Sequence, residues 1–205
     1  MGREEAPTRA AVLELEQERG VVSEAYDFLD EKRLLLAAEL LRQLEAYERM
    51  HAELESLAAQ ARGRLASAVE RHGLHGLSVY PARPLHGVDL SERQRNFMGV
   101  TLVETELLLA ESQTSPTQPA TNPSSEAEAC RSVFAEMVAR SAVLAGLSGN
   151  LHRLLKEYRL TERRARALEN VILPEIEQSL NEMRSYLEEV DLEDAIRARL
   201  HRRDI

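Results

Sequence analysis

The sequence is poor in cysteine, tryptophan and lysine. Cys130 is the only cysteine among 205 residues, tryptophan is absent, and lysine occurs only at positions 32 and 156. A single cysteine cannot form an intramolecular disulfide, which favours a reducing compartment. Cys130 begins an apolar helical pattern and no His or Asn context marks it as a nucleophile, so we expect a small buried side chain there.

Long apolar runs are also missing. No run approaches the ~18 residues of a membrane-spanning helix, and the acidic N-terminus lacks the hydrophobic core of a signal peptide. We therefore expect a soluble, intracellular chain that reaches any membrane through partner proteins. The formal net charge of −9 argues against nucleic acid as a partner, because phosphate binding needs a basic surface that this chain lacks overall. Two local basic clusters, 163–166 and 197–203, are either solvated helix faces or partner contacts.

Residue patterns of catalytic and ligand sites are few. His72, His75 and His86 cluster near a turn, but neither cysteine nor a well-spaced carboxylate completes a tetrahedral metal set. Residues 146–149 begin like the Gly-x-Ser-x-Gly pattern of a nucleophile elbow, but Asn150 stands where the last glycine is required. The sequence also contains no Gly-rich phosphate-binding loop that ends in Lys-Ser or Lys-Thr. We expect no catalytic residue, no metal and no cofactor.

The composition that remains is typical of long solvated helices, with 30% charged and only 4% aromatic residues. Between Thr8 and about His72 there is no proline and only two glycines, and Pro7-Thr8 offers a helix start. Apolar residues here recur at intervals of three and four, which predicts one long helix with a coiled-coil seam. The seam consists of Leu15, Val22, Tyr26, Leu29, Leu36, Leu40, Tyr47, Met50, Leu54, Leu57, Ala61 and Ala68, with Arg19, Arg33, Gln43 and Arg64 at its polar positions.

A second pattern of the same period runs from about Ser125 to Arg199. Because the two stretches are similar in length and joined by a middle segment, we predict an antiparallel pair with both termini at one end. Between Ala165 and Leu180 the period lengthens, and Pro174 should bend or open the helix unless the helix ends at Leu173. The second seam consists of Met137, Leu144, Leu151, Leu155, Tyr158, Ala165, Leu168, Ile172, Ile176, Leu180, Met183, Leu187 and Val190.

The middle segment contains several helix breakers. Glycines and prolines between Gly73 and Gly87 interrupt the helical pattern, and β-rich pieces at 77–80 and 99–106 predict a small hairpin. Residues 112–125 are mostly Ser, Thr, Pro, Gln and Asn, which predicts a mobile polar loop. We expect an all-α chain organised as a long shaft helix (1–72), a hairpin-containing middle (73–111), that loop (112–125) and a second long shaft helix (126–205).

Three segments of the sequence together match the pattern of one known protein family. The first is Pro7-Thr8-Arg9, followed by Leu13, Leu15, Tyr26, Leu29 and Lys32-Arg33. The second, Asn-Phe-Met-Gly-Val at 96–100, resembles the family's Asn-Ile-Met-Gly-Val strand. The third, 163–174, resembles its Arg-rich stretch leading to Ala-Leu-Glu-Asn and an aliphatic-Pro pair. The three segments occur in the family's order across nearly the whole chain, which therefore resembles the D-subunit family of bacterial and archaeal V/A-type rotary ATPases.

The resemblance implies a non-catalytic axle that couples ATP hydrolysis or synthesis in a hexamer of A and B subunits to rotation of a membrane ion-translocating ring. It also implies further partners, namely the small central-stalk F subunit and a protein linking the shaft to the ring, and a peripheral position on the cytoplasmic face. The residues then expected to face the bore of the hexamer are Arg9, Leu13, Leu15, Leu187, Val190, Ile196, Leu200, Arg202 and Arg203.

Two further groups of residues are expected to meet the stalk partners. The small residues Ala142, Ala145, Gly146 and Gly149 permit close helix approach, although tight intrachain packing explains them equally well. Asn96, Met98 and Gly99 either contact the linking protein or serve hairpin packing. The family motif itself comprises Arg163, Arg164, Arg166, Asn170 and Pro174. The alternative function is a generic coiled-coil scaffold or adaptor, for which a parallel dimer would be the expected form.

Overall fold

The computed structural model of the chain describes residues 7–80, 89–108 and 122–201. Their elements are helix α1 (Arg9–Ser78), strands β1 (Asp89–Phe97) and β2 (Val100–Leu108), helix α2 (Ser125–Ala167), a π-helical turn (Leu168–Ile172) and helix α3 (Leu173–His201). Two long helical stretches with a small sheet between them in the chain confirm the predicted fold class. Of the predicted residues, His86, Arg202, Arg203 and most of the polar loop, 112–121, lie outside the described ranges.

Helix α1 begins where the sequence predicts. The Ala11 amide donates to the Thr8 hydroxyl oxygen at 3.2 Å, a side-chain cap of the first turn. The helix is interrupted at Gly73, whose φ of 68° suits glycine, and then resumes as far as Ser78. The β piece predicted at 77–80 is therefore wrong, because Leu77 and Ser78 are helical and Tyr80 only closes a turn through its amide to the Leu77 carbonyl.

The chain divides into two compact units. The first combines the start of α1, as far as Leu35, with the chain from Tyr158 onward. Within it Arg9 pairs with Asp191 at 3.0 Å and Glu16 with Arg184, so residue numbers fall along one helix as they rise along the other. The two helices of this unit are antiparallel, as predicted.

The second unit, Leu36–Glu157, contains the rest of α1, the hairpin and most of α2. Glu53 pairs with Arg140 at 3.0 Å, and His72 hydrogen-bonds Ser124 at 2.6 Å, which again gives an antiparallel arrangement. Cys130 is buried, as predicted, and burial raises the pKa of its thiol. Buried apolar residues on both helices form the core of this unit, among them Leu36, Ala61, Ala68, Ala127 and Leu154.

The predicted seams are largely correct. Every apolar position of both seams is buried or half-buried except Val190, which lies near the end of the second pattern. Among the polar seam positions Gln43 is buried and Arg33 half-buried, whereas Arg19 and Arg64 are exposed. The alternating three- and four-residue interval therefore identified the packed face of each helix.

The π-helical turn explains the irregular period of the second pattern. The Leu173 amide donates to the Leu168 carbonyl oxygen, five residues earlier, so the helix is locally widened directly before Pro174. Proline has no amide hydrogen and would leave a carbonyl of the preceding turn without its usual donor. The local opening predicted near Pro174 is therefore confirmed, and the helix continues past Leu173.

The hairpin is formed by β1 and β2, which pair in regular antiparallel register from Asp89 opposite Leu108 to Phe97 opposite Val100. Met98 and Gly99 form the two-residue turn with φ values of 49° and 85°, the signs required by a type I′ turn. The Asn96 side-chain oxygen accepts the Gly99 amide at 3.1 Å and supports this turn. The predicted second strand is confirmed, but residues 96–100 form the turn and the ends of both strands.

Candidate functional site

Helix α3 extends beyond its contact with the start of α1. After Asp191, which pairs with Arg9, α3 continues from Leu192 to His201, and all side chains described there are exposed. Leu192, Ile196 and Leu200 follow one another at intervals of four and therefore lie on one face of the helix. They are 63%, 58% and 57% exposed. An exposed apolar row at a helix end is the pattern of a surface that another protein covers.

The structure places the predicted bore residues in three different environments. Leu13, Val190, Ile196 and Leu200 are exposed and available to a partner, whereas Leu15 and Leu187 are half-buried. Arg9 is exposed and holds the ion pair to Asp191. Leu192 is as exposed as Ile196 and Leu200, but it was not among the predicted bore residues. Its interval of four from Ile196 is the signal that could have identified it.

A buried carboxylate joins the hairpin to α1. Glu39 is 7% exposed, and its oxygens accept hydrogen bonds from the Arg42, Gln43 and Arg95 side chains at 2.7–3.0 Å. Arg95 belongs to β1, so this contact links residues 56 positions apart. The Arg42 hydrogen bonds, assisted by those from Gln43 and Arg95, lower the pKa of Glu39 to about 2 against the opposing effect of burial.

A second polar contact joins the hairpin to α2. The Asn150 side chain is 2% exposed; its oxygen accepts the Val103 amide at 2.8 Å and its NH₂ donates to the Val103 carbonyl at 2.9 Å. Arg153 donates to the same Asn150 oxygen at 2.7 Å. The Thr105 hydroxyl donates to the Ala142 carbonyl at 2.7 Å. The sequence patterns did not identify this function for Asn150, Thr105 or Glu39.

The small-residue group on α2 partly faces the hairpin. Gly146 lies directly against Thr105, and a Cβ built at Gly146 would sit 2.3 Å from the Thr105 hydroxyl oxygen. Ala142 contributes its carbonyl to the same strand, whereas Ala145 is exposed. Ala142 and Gly146 thus make the contacts with the hairpin that the intrachain packing alternative predicts. Contact of the whole group with a stalk partner stays a prediction.

We expect Gly146→Ala to destabilise the chain although alanine favours helix by about 1 kcal/mol. The new Cβ would overlap the Thr105 hydroxyl, and overpacking of this kind costs typically 1–3 kcal/mol. Gly149→Ala is the matched control, because its Cβ would meet only the guanidinium end of Arg153, at 3.4 Å or more. Urea unfolding followed by circular dichroism should show a loss for Gly146→Ala and none for Gly149→Ala; equal effects would contradict the packing explanation.

Glu39 should make folding stability depend on pH in the acid range. Because its folded-state pKa lies below the ordinary value of 4.5, its stabilising contribution is complete above about pH 5 and is lost as the pH falls towards 2. We expect wild type to exceed Glu39→Gln in free energy of unfolding at pH 7, by on the order of 2 kcal/mol, and the difference to shrink towards pH 2. Urea titrations at several pH values measure it, and a pH-independent difference would contradict this explanation.

The arginine-rich motif surrounds the π-helical turn. Arg163 and Arg164 are exposed, and Arg166 pairs with Glu162 at 2.6 Å one helical turn away. Asn170 lies within the π turn and Pro174 lies two residues after its end, and both are exposed. The motif therefore coincides with the local widening of the helix and not with a buried polar centre.

Glu169, in the π turn, interacts with Tyr26 of α1. The negative charge of Glu169 is the main cause of a raised pKa of the Tyr26 hydroxyl, with burial, Asp30 and a hydrogen bond to Glu169 adding to it. The positive charge of Arg33 lowers the pKa of Tyr26 and partly offsets this increase. This electrostatic interaction links the widened turn to the first helix of its own unit.

The described residues contain no candidate metal site. In ranges 7–80, 89–108 and 122–201 no three His, Cys, Asp or Glu side chains lie close enough to hold a metal. His72 contacts Ser124 and the edge of the Tyr80 ring, which accounts for its position. None of the helices in those ranges has the length and apolar composition of a membrane span.

The family model for the ATP synthase D subunit matches this chain over residues 11–203. The chain is 27% identical to the V-type ATP synthase D subunit of Thermotoga neapolitana over 94% of both chains. It is 29% identical to the V-type ATP synthase D subunit of Anaeromyxobacter dehalogenans, over 96% of this chain and 95% of the relative. It is also 27% identical to the A-type ATP synthase D subunit of Thermococcus kodakarensis, over 93% and 90%. The chain belongs to the D-subunit family of V/A-type ATP synthases.

Proposed function

We propose that this chain is the central axle of a V/A-type rotary ATPase and supplies no catalytic group. In this role the end of the first unit enters the bore of an A/B hexamer, where ATP is bound. The observation that carries the proposal is the exposed row Leu192, Ile196 and Leu200 on the part of α3 that continues beyond the start of α1. A rotating tip needs a surface that a surrounding ring can hold without a fixed hydrogen-bonding register, and an apolar row suits this requirement.

The seams provide the stiffness that torque transmission requires. Close packing along both helices resists bending and slippage, because interdigitated side chains cannot slide without breaking many contacts at once. Ion pairs between the helices, such as Arg9–Asp191 and Glu53–Arg140, further define the register within each unit. Such an axle would favour a different conformation in each of the catalytic interfaces that surround it. Rotation of the axle and the nucleotide state of these interfaces are then coupled in one equilibrium.

Additional apolar side chains remain exposed on α1. In the first unit they include Val21, Phe28 and Leu34, with Val21 and Phe28 seven residues apart and therefore on nearly the same helix face. We assign such surfaces to stalk partners, the small F subunit and the protein that links the shaft to the membrane ring. The chain would then be peripheral to the membrane on its cytoplasmic face.

A generic coiled-coil scaffold is the competing function. The paired helices of each unit belong to the same chain, and each seam is covered by intrachain contacts. This favours a monomeric hairpin over the parallel dimer expected of a scaffold. Heptad packing alone would not discriminate between the two functions.

Affinity purification of the tagged chain from its own cells in mild detergent, followed by mass spectrometry, tests the proposal. The axle function predicts stoichiometric A and B subunits together with a small stalk protein. Recovery of a self-associated chain without these subunits would contradict the axle and support the scaffold. An untagged strain carried through the same purification controls for abundant ATPase subunits that bind the resin.

A further inference from the structure

The Asn150 side-chain amide hydrogen-bonds the edge of β2 in the way that a neighbouring strand would. Gln94 is the β1 residue opposite Val103, yet the Val103 amide and carbonyl both bond Asn150. In an antiparallel pair alternate residues direct both backbone groups away from the partner strand. Val103 is such a residue, so its groups lie on the outer edge of β2. At Val103 the carboxamide uses one N–H donor and its oxygen acceptor, which is the pair that a neighbouring strand would supply.

Two other contacts hold the hairpin at different points. Arg95 of β1 donates to the buried Glu39 of α1 at 2.8 Å. Thr105 of β2 donates to the Ala142 carbonyl of α2 and lies against Gly146. These contacts, together with Asn150, attach β1 to α1 and β2 to α2 within the second unit. A two-stranded sheet is marginally stable alone, so such attachments decide whether it keeps a fixed orientation.

We propose that Asn150 acts as a surrogate third strand, which closes the β2 edge and, with Glu39, holds the hairpin as a fixed arm of the second unit. The buried amide bonds partners within this chain, namely both backbone groups of Val103 and the Arg153 side chain. An amide so fully bonded is costly to displace, because undocking would leave buried polar groups unpaired. At Val103 the edge of β2 is thereby closed to strand addition by another chain.

Hydrogen–deuterium exchange of the full-length chain, read by mass spectrometry on peptides covering β2, tests this function of Asn150. In Asn150→Ala the Val103 amide loses its acceptor, and the β2 peptides should exchange about tenfold faster or more. Peptides covering Leu36 and Leu154, in the buried core of the same unit, should change little. Asn181→Ala, an exposed asparagine on α3, is the matched control and should leave β2 unchanged.

Asn150→Leu provides a second variant of similar size that keeps the site filled while removing the amide. It should accelerate β2 exchange as Asn150→Ala does, and it remains informative if the alanine variant does not fold. Unchanged β2 exchange in a folded variant would overturn the proposal, as would an equal increase over the β2 and core peptides. The measurement needs only the isolated chain, so its failure would leave the proposed axle function unaffected.

Discussion

Replacing Leu192, Ile196 and Leu200 together with serine is expected to weaken binding of the chain to the A/B hexamer about a hundredfold. Each side chain is more than half exposed in the isolated chain, so each still has apolar surface that a partner can cover. At ~25 cal/mol per Å² of apolar surface, about 1 kcal/mol is lost per residue, or roughly 3 kcal/mol for the row. A tenfold change in affinity corresponds to about 1.4 kcal/mol, which gives the expected factor.

This loss should occur without loss of folding. Exposed side chains contribute little to the core, so the thermal unfolding temperature of the isolated triple variant should stay close to wild type. The affinity can be measured by titrating purified A/B hexamer with labelled chain, and ATP-driven ion pumping by the reconstituted complex should fall in parallel. Leu41→Ser combined with Leu74→Ser removes two exposed leucines from the second unit and provides the control. Unchanged hexamer affinity in the triple variant would contradict the assignment of α3 to the bore.

The packed faces of the helices could be predicted because helical period is a local property of sequence. Leu36, Ala61, Ile176 and Leu180 were placed in the seams from their spacing alone, and all four are buried. The irregular period near Pro174 likewise predicted a local opening, which the π-helical turn provides. In each case a side chain's environment follows from its position on one regular element.

Two buried polar residues, Glu39 and Asn150, could not be predicted in this way. Glu39 and Asn150 occur in helical sequence where a polar residue is normally exposed, and their burial depends on Arg95 and Val103, which are distant along the chain. Strand β1 was missed for a related reason. All its residues except Phe97 are exposed, so it carries no alternation of apolar and polar residues and is held by its pairing with β2.

Leu36→Ala should be among the most destabilising single substitutions in the chain. Leu36 is 0% exposed, and removal of three buried carbons leaves a cavity that the surrounding helices fill only in part. The expected loss in free energy of unfolding is roughly 2–5 kcal/mol, which corresponds to a decrease of about 6–12 °C in unfolding temperature for a loss near 3 kcal/mol. Differential scanning calorimetry of the isolated chain measures the change.

Leu34→Ala is the matched control, since the same substitution two residues earlier on α1 removes a side chain that is 62% exposed. Its cost should stay below about 1 kcal/mol, because no cavity forms and alanine favours helix at least as well as leucine. The comparison separates the seam from general helix stability. If both variants unfold at the same temperature, the seam at Leu36 does not hold α1 in place, and the stiffness ascribed to the axle would have to come from its partners.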